Sequence, residues 1–151
     1  MKFSFRLQGL LNWKKSLEEY SQMKLAEKTR QLKAQEEEIN ALIVQRLLND
    51  RKLDEKAREG VRVGEYLLFK QFGEESYKDL IKKESQKKRT MGEMEGEREN
   101  LIGFMKERKM LERLKEKKFE KFSYQVSRLD QKHMNEIAIR QHHAPSKEDL
   151  S

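Results

Sequence analysis

The stretch EGVRVGEYLLFKQFG, residues 59–73, separates two long segments that have the composition of helices. It holds three glycines in fourteen residues, Gly60, Gly64 and Gly73, and the apolar repeat of the chain loses its phase across it. Two helical segments joined by one break are typical of a helical hairpin. We therefore expect an all-α fold, a long antiparallel two-helix coiled coil, with its turn at about 59–74.

The boundaries of the elements follow from this break. Helix one is predicted at about 3–58 and helix two at about 75–141, followed by a flexible tail at 142–151. Residues 1–151 are predicted to form a single coiled-coil domain.

The first segment carries an imperfect heptad repeat. Its apolar members recur at sevenfold or nearly sevenfold spacing: Leu11, Leu25, Leu32, Ile39, and Leu42 or Ile43. Lys28 and Gln35 stand where a strict zipper has leucine, which argues against a simple parallel dimer.

The second segment has a clearer stripe. Steps of four and three residues from Leu80 pass through Glu84, Lys87, Met91, Met94, Arg98, Leu101, Met105, Phe119 and Phe122. A turn centred near residue 67 would oppose Leu32 to Leu101 and Ile102, Leu25 to Lys109 and Met110, and Leu11 to Phe122 and Ser123. We expect a monomer whose Leu25, Leu32, Leu101 and Met105 are buried along one intramolecular line of packing.

The composition supports a narrow apolar stripe and excludes a globular core. Of the 151 residues, 35% are hydrophobic and 40% are charged, and the one proline is Pro145. The net charge is +7, but acidic residues interrupt the basic stretches, which does not favour nucleic-acid binding. No run approaches the ~20 apolar residues of a membrane span, so we expect a cytosolic protein with no direct membrane insertion.

The sequence has no pattern that predicts an enzyme, a cofactor site or a metal site. It lacks cysteine, a phosphate-binding glycine loop and the usual zinc and calcium motifs. His142 and His143 are adjacent, and neighbouring helical residues point about 100° apart, so they are not an i, i+4 chelating pair. His133 has no companion ligand, and Gly92, Gly96 and Gly103 predict soft points in a charged helix.

Two apolar features exceed what a hairpin needs. Tyr66, Leu67, Phe69 and Phe72 lie in the expected turn, where they either pack locally or form an exposed contact for a partner. Apolar residues also continue past the expected reach of helix one, at Leu129, Met134, Ile137 and Ile139. The second feature predicts either that another molecule covers the end of helix two or that this end is frayed.

The sequence opens with FSFRLQGLL, residues 3–11, and has KMLERLKEK at residues 109–117 and LDQKHMNEIA at residues 129–138. These segments resemble the FliJ family, the small coiled-coil components of the flagellar type III export apparatus. The more specific part is LDQKHMNEIA, residues 129–138, in which Asp130, Gln131, Lys132, Glu136 and Ala138 fit the family pattern. Asn135 replaces the usual aspartate.

This resemblance implies a non-enzymatic protein similar to the two-stranded stalk of the rotary ATPase gamma subunit. It implies insertion into the ring of the export ATPase FliI, promotion of ring assembly, and contacts with the export gate protein FlhA and with export chaperones. The implied location is cytoplasmic, peripheral to the inner membrane at the flagellar base.

The same resemblance implies two sets of binding residues. The implied ATPase-binding residues are Phe3, Phe5, Arg6, Gln131, Lys132, Asn135, Glu136 and Ile137. The implied export-gate-binding residues are Glu38, Leu42, Gln45, Asn49, Phe69, Phe72, Tyr77 and Leu80.

Three alternatives have similar composition. A stalk protein of a virulence type III secretion system would have the same shape and chemistry and differ in the closing pattern. An unrelated coiled-coil scaffold or a basic nucleic-acid binder would also be rich in charged helix formers.

Overall fold

The computed structural model describes residues 1–143, which form two long helices that pack against each other and no strand. Helix α1 spans Gln8–Glu59 and helix α2 spans Val63–His143. This confirms the predicted all-α helical hairpin. The predicted tail at 142–151 lies outside the described residues from position 144 onward, and His142 and His143 belong to α2.

The connection between the helices is shorter than the predicted 59–74, because only residues 60–62 interrupt the helices. Gly60 has a φ of 93°, the left-handed conformation in which glycine commonly ends a helix. Tyr66 donates a backbone hydrogen bond to the Arg62 carbonyl at 3.0 Å, so α2 is established within one turn of the connection. Gly64 and Gly73 lie inside α2, where a glycine costs ~1 kcal/mol relative to alanine and does not by itself end a helix.

Helix α1 also begins later than the predicted position near residue 3. Gln8 donates a backbone hydrogen bond to the Phe5 carbonyl at 3.1 Å, which closes a turn just before the helix. Phe5 is buried and Phe3 packs on aromatic side chains of α2. These contacts hold the N-terminal segment in a non-helical path.

The chain divides into two compact units. Among the described residues, 1–16 and 104–143 form unit 1, and Leu17–Gly103 form unit 2. The single domain predicted for residues 1–151 stays a prediction.

In unit 2 the helices meet along a line of side chains at alternating steps of three and four residues, which we call the seam. Its α1 members are Ser21, Leu25, Lys28, Leu32, Gln35, Ile39, Leu42, Arg46, Asn49 and Leu53. Its α2 members are Phe69, Gly73, Ser76, Leu80, Lys83, Lys87, Thr90, Met94, Glu97 and Leu101. Leu42 is buried and Ile43 is exposed, which decides between the two predicted members.

The predicted stripe of α2 is partly wrong. Every second member lies on the seam, including Leu80, Lys87, Met94 and Leu101, but Glu84, Met91 and Arg98 are exposed. Their neighbours at positions 83, 90 and 97 take the seam positions instead. The sequence pattern missed this because those neighbours are polar.

The pairing of the helices is also different from the prediction. Lys28 pairs with Glu93 at 2.7 Å, and Lys83 pairs with Glu38 at 3.3 Å. In each pair the two residues are equally far along the sequence from the point between residues 60 and 61. The prediction placed this centre of the hairpin near residue 67. By this symmetry Leu32 lies opposite residues 89 and 90.

The three predicted oppositions are therefore wrong: Leu32 with Leu101 and Ile102, Leu25 with Lys109 and Met110, and Leu11 with Phe122 and Ser123. They share one cause, the shorter connection. The four residues predicted to be buried, Leu25, Leu32, Leu101 and Met105, are half-buried.

Candidate partner-binding sites

In unit 1 the N-terminal segment packs on α2 through aromatic side chains. The ring of Phe3 lies 5.2 Å from that of Phe119, edge to face, and 5.5 Å from that of Phe122. Phe5 and Leu11 are almost fully buried. Because its side chain is used inside the unit, Phe5 supports the site and offers little surface to a partner.

A groove of about 590 Å³ lies along α2 beside the N-terminus. It is lined by Met1, Gln125, Arg128, Leu129, Gln131, Lys132 and Asn135. The structure thus brings together three of the implied ATPase-binding residues. The other five, Phe3, Phe5, Arg6, Glu136 and Ile137, do not line this groove.

Sequence reasoning did not include four of the groove residues, Met1, Gln125, Arg128 and Leu129, among the binding residues. Gln125, Arg128 and Leu129 precede Gln131, Lys132 and Asn135 at helical spacing of three or four residues, so the periodicity of α2 could have found them. Met1 carries no sequence signal, because only the path of the N-terminal segment brings it to α2.

The end of α2 has no covering element among the described residues. Every residue from Ser127 to His143 is exposed, including Leu129, Met134 and Ile137. Fully burying a leucine side chain stabilises a structure by roughly 1.5–3 kcal/mol relative to leaving it in water. These exposed side chains do not contribute that free energy to the hairpin. The uncovered end expected from the sequence is present.

A second groove, of about 770 Å³, lies in unit 2 next to the connection. It is lined by Gln45, Leu48, Asn49, Lys52, Lys56, Phe69 and Phe72. Four of the implied gate-binding residues, Gln45, Asn49, Phe69 and Phe72, meet here. Leu48, Lys52 and Lys56 were not among the predicted site residues.

Local contacts fix the floor of this second groove. Asn49 donates a side-chain hydrogen bond to the Phe69 carbonyl at 3.3 Å. The Lys56 ammonium lies 5.2 Å from the centre of the Phe69 ring and 3.8 Å from the Glu65 carboxylate. Phe69 is half-buried on the seam, while Phe72 is 39% exposed. Phe69 therefore packs locally, as one of the two sequence interpretations has it. Phe72 is exposed, and its contact with a partner stays a prediction.

The other four implied gate residues have different surroundings. Leu42 is buried on the seam and Leu80 is half-buried there, so both hold the hairpin together. Glu38 pairs with Lys83, and the exposed Tyr77 ring lies 5.3 Å from the Arg46 guanidinium. Arg46 in turn donates hydrogen bonds to the Gly73 carbonyl and the Ser76 hydroxyl, both at 3.1 Å.

Electrostatic contacts along unit 2 align the helices. Lys28 donates a hydrogen bond to the Glu93 carboxylate at 2.7 Å, and this bond with the attraction between the two charges lowers the pKa of Glu93 below its ordinary value of 4.5. Arg89 lowers the pKa of Glu93 further. These pairs are exposed and individually weak, but opposite charges facing each other favour one alignment of the helices.

Within residues 1–143, no group of three or more His, Cys, Asp or Glu side chains is placed to hold a metal ion. Neither of the two described helices contains a stretch apolar and long enough to span a bilayer.

The hairpin, its partly polar seam and its exposed grooves define the class of the protein, a two-helix coiled coil. The family model described as flagellar FliJ protein matches residues 2–147, so the chain belongs to the FliJ family. Membership associates it with flagellar type III protein export. Comparison with curated proteins and with solved structures found no match.

Proposed function

We propose that this chain is a non-enzymatic, stalk-like component of the flagellar export apparatus that contacts the FliI ATPase ring through unit 1. The observation that carries the proposal is the exposed apolar end of α2 from Leu129 to Ile139, next to the groove of Gln131, Lys132 and Asn135. Leu129, Met134, Ile137 and Ile139 are exposed together at this end of the helix, and clustered exposed apolar residues mark surfaces that a partner covers. A ring that receives the end of a stalk would cover them.

The polar groups of the groove suit a contact that forms and breaks. Arg128 and Lys132 are exposed cations, and Gln131 and Asn135 are amides that donate and accept hydrogen bonds. Exposed ion pairs are weak and are screened by salt. We therefore expect the affinity for the ATPase to fall as salt rises.

In the same proposal, the groove of unit 2 contacts the export gate protein FlhA. Phe72 and Leu48 supply exposed apolar surface, and Lys52 and Lys56 supply positive charge. This composition suits a partner surface with an apolar side chain flanked by carboxylates. Contacts with export chaperones and a cytoplasmic place at the inner membrane complete the proposal.

The ATPase contact is tested with purified FliI. Adding this chain should raise hexamer formation and ATP hydrolysis, and removing residues from Leu129 onward should abolish the gain while leaving most of the helical circular dichroism signal. A double variant, Leu129→Asp with Ile137→Asp, should act like the truncation. Met110→Asp is the control, because Met110 is an apolar residue of α2 in unit 1 that is at least as exposed as Leu129 and Ile137.

Stimulation that survives both the truncation and the double variant would place the ATPase contact elsewhere. Equal loss in the Met110→Asp control would mean that the effect comes from charge on α2 in general.

The gate contact is tested by Phe72→Ser, which should reduce flagellar export and binding to the cytoplasmic part of FlhA without changing the melting temperature of the chain by more than a few degrees. Ile81→Ser is the control, since Ile81 is exposed on α2 in unit 2 and lines neither groove. Normal export with Phe72→Ser would contradict the gate assignment of this groove.

A further inference from the structure

Helix α1 has a second apolar face in unit 2, on the side away from the seam. Val44, Leu47 and Leu48 are 54%, 62% and 49% exposed. Val44 lies two residues from the seam positions Leu42 and Arg46, and two residues turn a helix by about 200°. Val44 and Leu47 are therefore solvated on the side of α1 away from α2, whereas Leu48 borders the groove of unit 2 that Phe69 and Phe72 of α2 also line.

Charged residues extend this outer face in both directions. Lys33 and Glu37 precede the apolar group and Arg51 and Glu55 follow it, at spacings that keep all four on the same side of α1. All four are exposed, and none has an ion-pair partner among residues 1–143. Their neighbours Glu36 and Glu38, in contrast, pair with lysines of α2.

The order of these charges is symmetric with opposite sign. Glu37 and Arg51 are each seven residues from Val44, and Lys33 and Glu55 are each eleven residues from it. A helix with this pattern is complementary to an antiparallel copy of itself. A parallel copy would place each charge against its own equivalent.

We propose that the outer face of α1, residues 33–55, binds the same face of a second copy of this chain, antiparallel and with the two-fold axis at Val44. Glu37 then meets Arg51 of the second copy, and Lys33 meets its Glu55, which gives four intermolecular ion pairs by symmetry. Val44 packs on its own equivalent. Ala41 faces Leu47 of the second copy, so a small side chain accommodates a large one.

The size of the face sets the strength of this dimer. Residues 33–55 span about 33 Å of helix, and the apolar surface of Ala41, Val44 and Leu47 in each copy is small for a stable interface. We expect exchange between monomer and dimer, with dissociation at concentrations on the order of 10–100 μM. At higher concentrations the dimer replaces the monomer that the sequence analysis predicts. The intramolecular seam is unaffected because it lies on the other side of α1.

Sedimentation equilibrium of the full chain at increasing concentration tests the proposal. The unaltered chain should pass from monomer to dimer mass. Glu37→Arg should weaken dimerisation about tenfold, because two attractive pairs become repulsive, and Arg51→Glu should do the same. The variant with both changes restores opposite charges and should return close to the original affinity. Met23→Asp is the control, because Met23 is exposed on α1 outside the face.

A cross-link provides a second measurement, since the chain has no cysteine. Val44→Cys should form a disulfide-linked dimer on mild oxidation, and Met23→Cys should form much less. A chain that stays monomeric to 1 mM would overturn the proposal. So would self-association that the single charge reversals leave unchanged, or a double reversal that fails to restore it.

Discussion

Gln35 shows how a polar residue on the seam weakens the hairpin. Its Oε1 atom is buried and has no hydrogen-bond partner among the described residues. A buried acceptor without a partner costs roughly 1–3 kcal/mol. The sequence analysis already placed Gln35 and Lys28 at positions where a zipper has leucine, and both are half-buried there.

Replacing Gln35 with leucine should therefore stabilise the protein. We expect Gln35→Leu to raise the free energy of unfolding by about 1–2 kcal/mol, because it removes the unpaired acceptor and adds apolar contact. Urea titration followed by circular dichroism measures the change. Gln31→Leu, at an exposed position of the same helix, should have little effect. A destabilised Gln35→Leu variant would mean that the amide has a role on the seam.

The ion pair of Lys28 with Glu93 makes part of the stability depend on pH. Because the pKa of Glu93 is lowered in the folded protein, its contribution is present above the ordinary pKa of 4.5 and is lost as the pH falls through the lower folded value. Glu93→Gln should lower the melting temperature at pH 7, and this difference should shrink at pH 3. Glu99→Gln, at an exposed carboxylate outside the seam, should give no such difference at either pH.

At the scale of the element, the glycines explain where the sequence analysis succeeded and where it failed. Two long helices were predictable, because the apolar repeat and the helix formers agree over most of the chain. The turn was misplaced because three glycines near one another were interpreted as one long break. Of these, only Gly60 has a positive φ, and Gly64 and Gly73 continue α2. All three positions are glycine, so residue type alone does not show which of them has a positive φ.

The same distinction predicts opposite effects of alanine at two glycines. Gly96→Ala should stabilise α2 by up to about 1 kcal/mol, since apart from the adjacent residues and the backbone of α2 itself no atom lies within 4 Å of the added methyl group. Gly60→Ala should destabilise the hairpin by about 1 kcal/mol or more, because alanine is strained at a φ of 93°. Thermal unfolding of the two variants measures both changes. Equal effects at the two positions would contradict the placement of the turn at 60–62.

At the scale of the whole molecule, the sequence identified the family better than it identified the binding surfaces. Short motifs at the two ends were enough for the FliJ resemblance, and the family match over residues 2–147 confirms it. Of the implied gate residues, Leu42 and Leu80 lie on the seam, because apolar residues that pack and apolar residues that bind look alike in a heptad pattern. The groove of unit 2 depends on how α1 and α2 align, and that alignment was predicted with the wrong centre.

The central claim of the account is the alignment of the two helices about residues 60 and 61. It is tested by two double-cysteine variants of this cysteine-free chain, treated with a short thiol-to-thiol cross-linker. Thr29→Cys with Met94→Cys should cross-link within one chain, because the Thr29 hydroxyl and the Met94 sulfur lie 3.8 Å apart. Leu32→Cys with Leu101→Cys should not, since α1 and α2 place these positions about eleven residues, or ~16 Å, out of alignment. Efficient cross-linking of the 32 and 101 pair, with none at 29 and 94, would contradict the account.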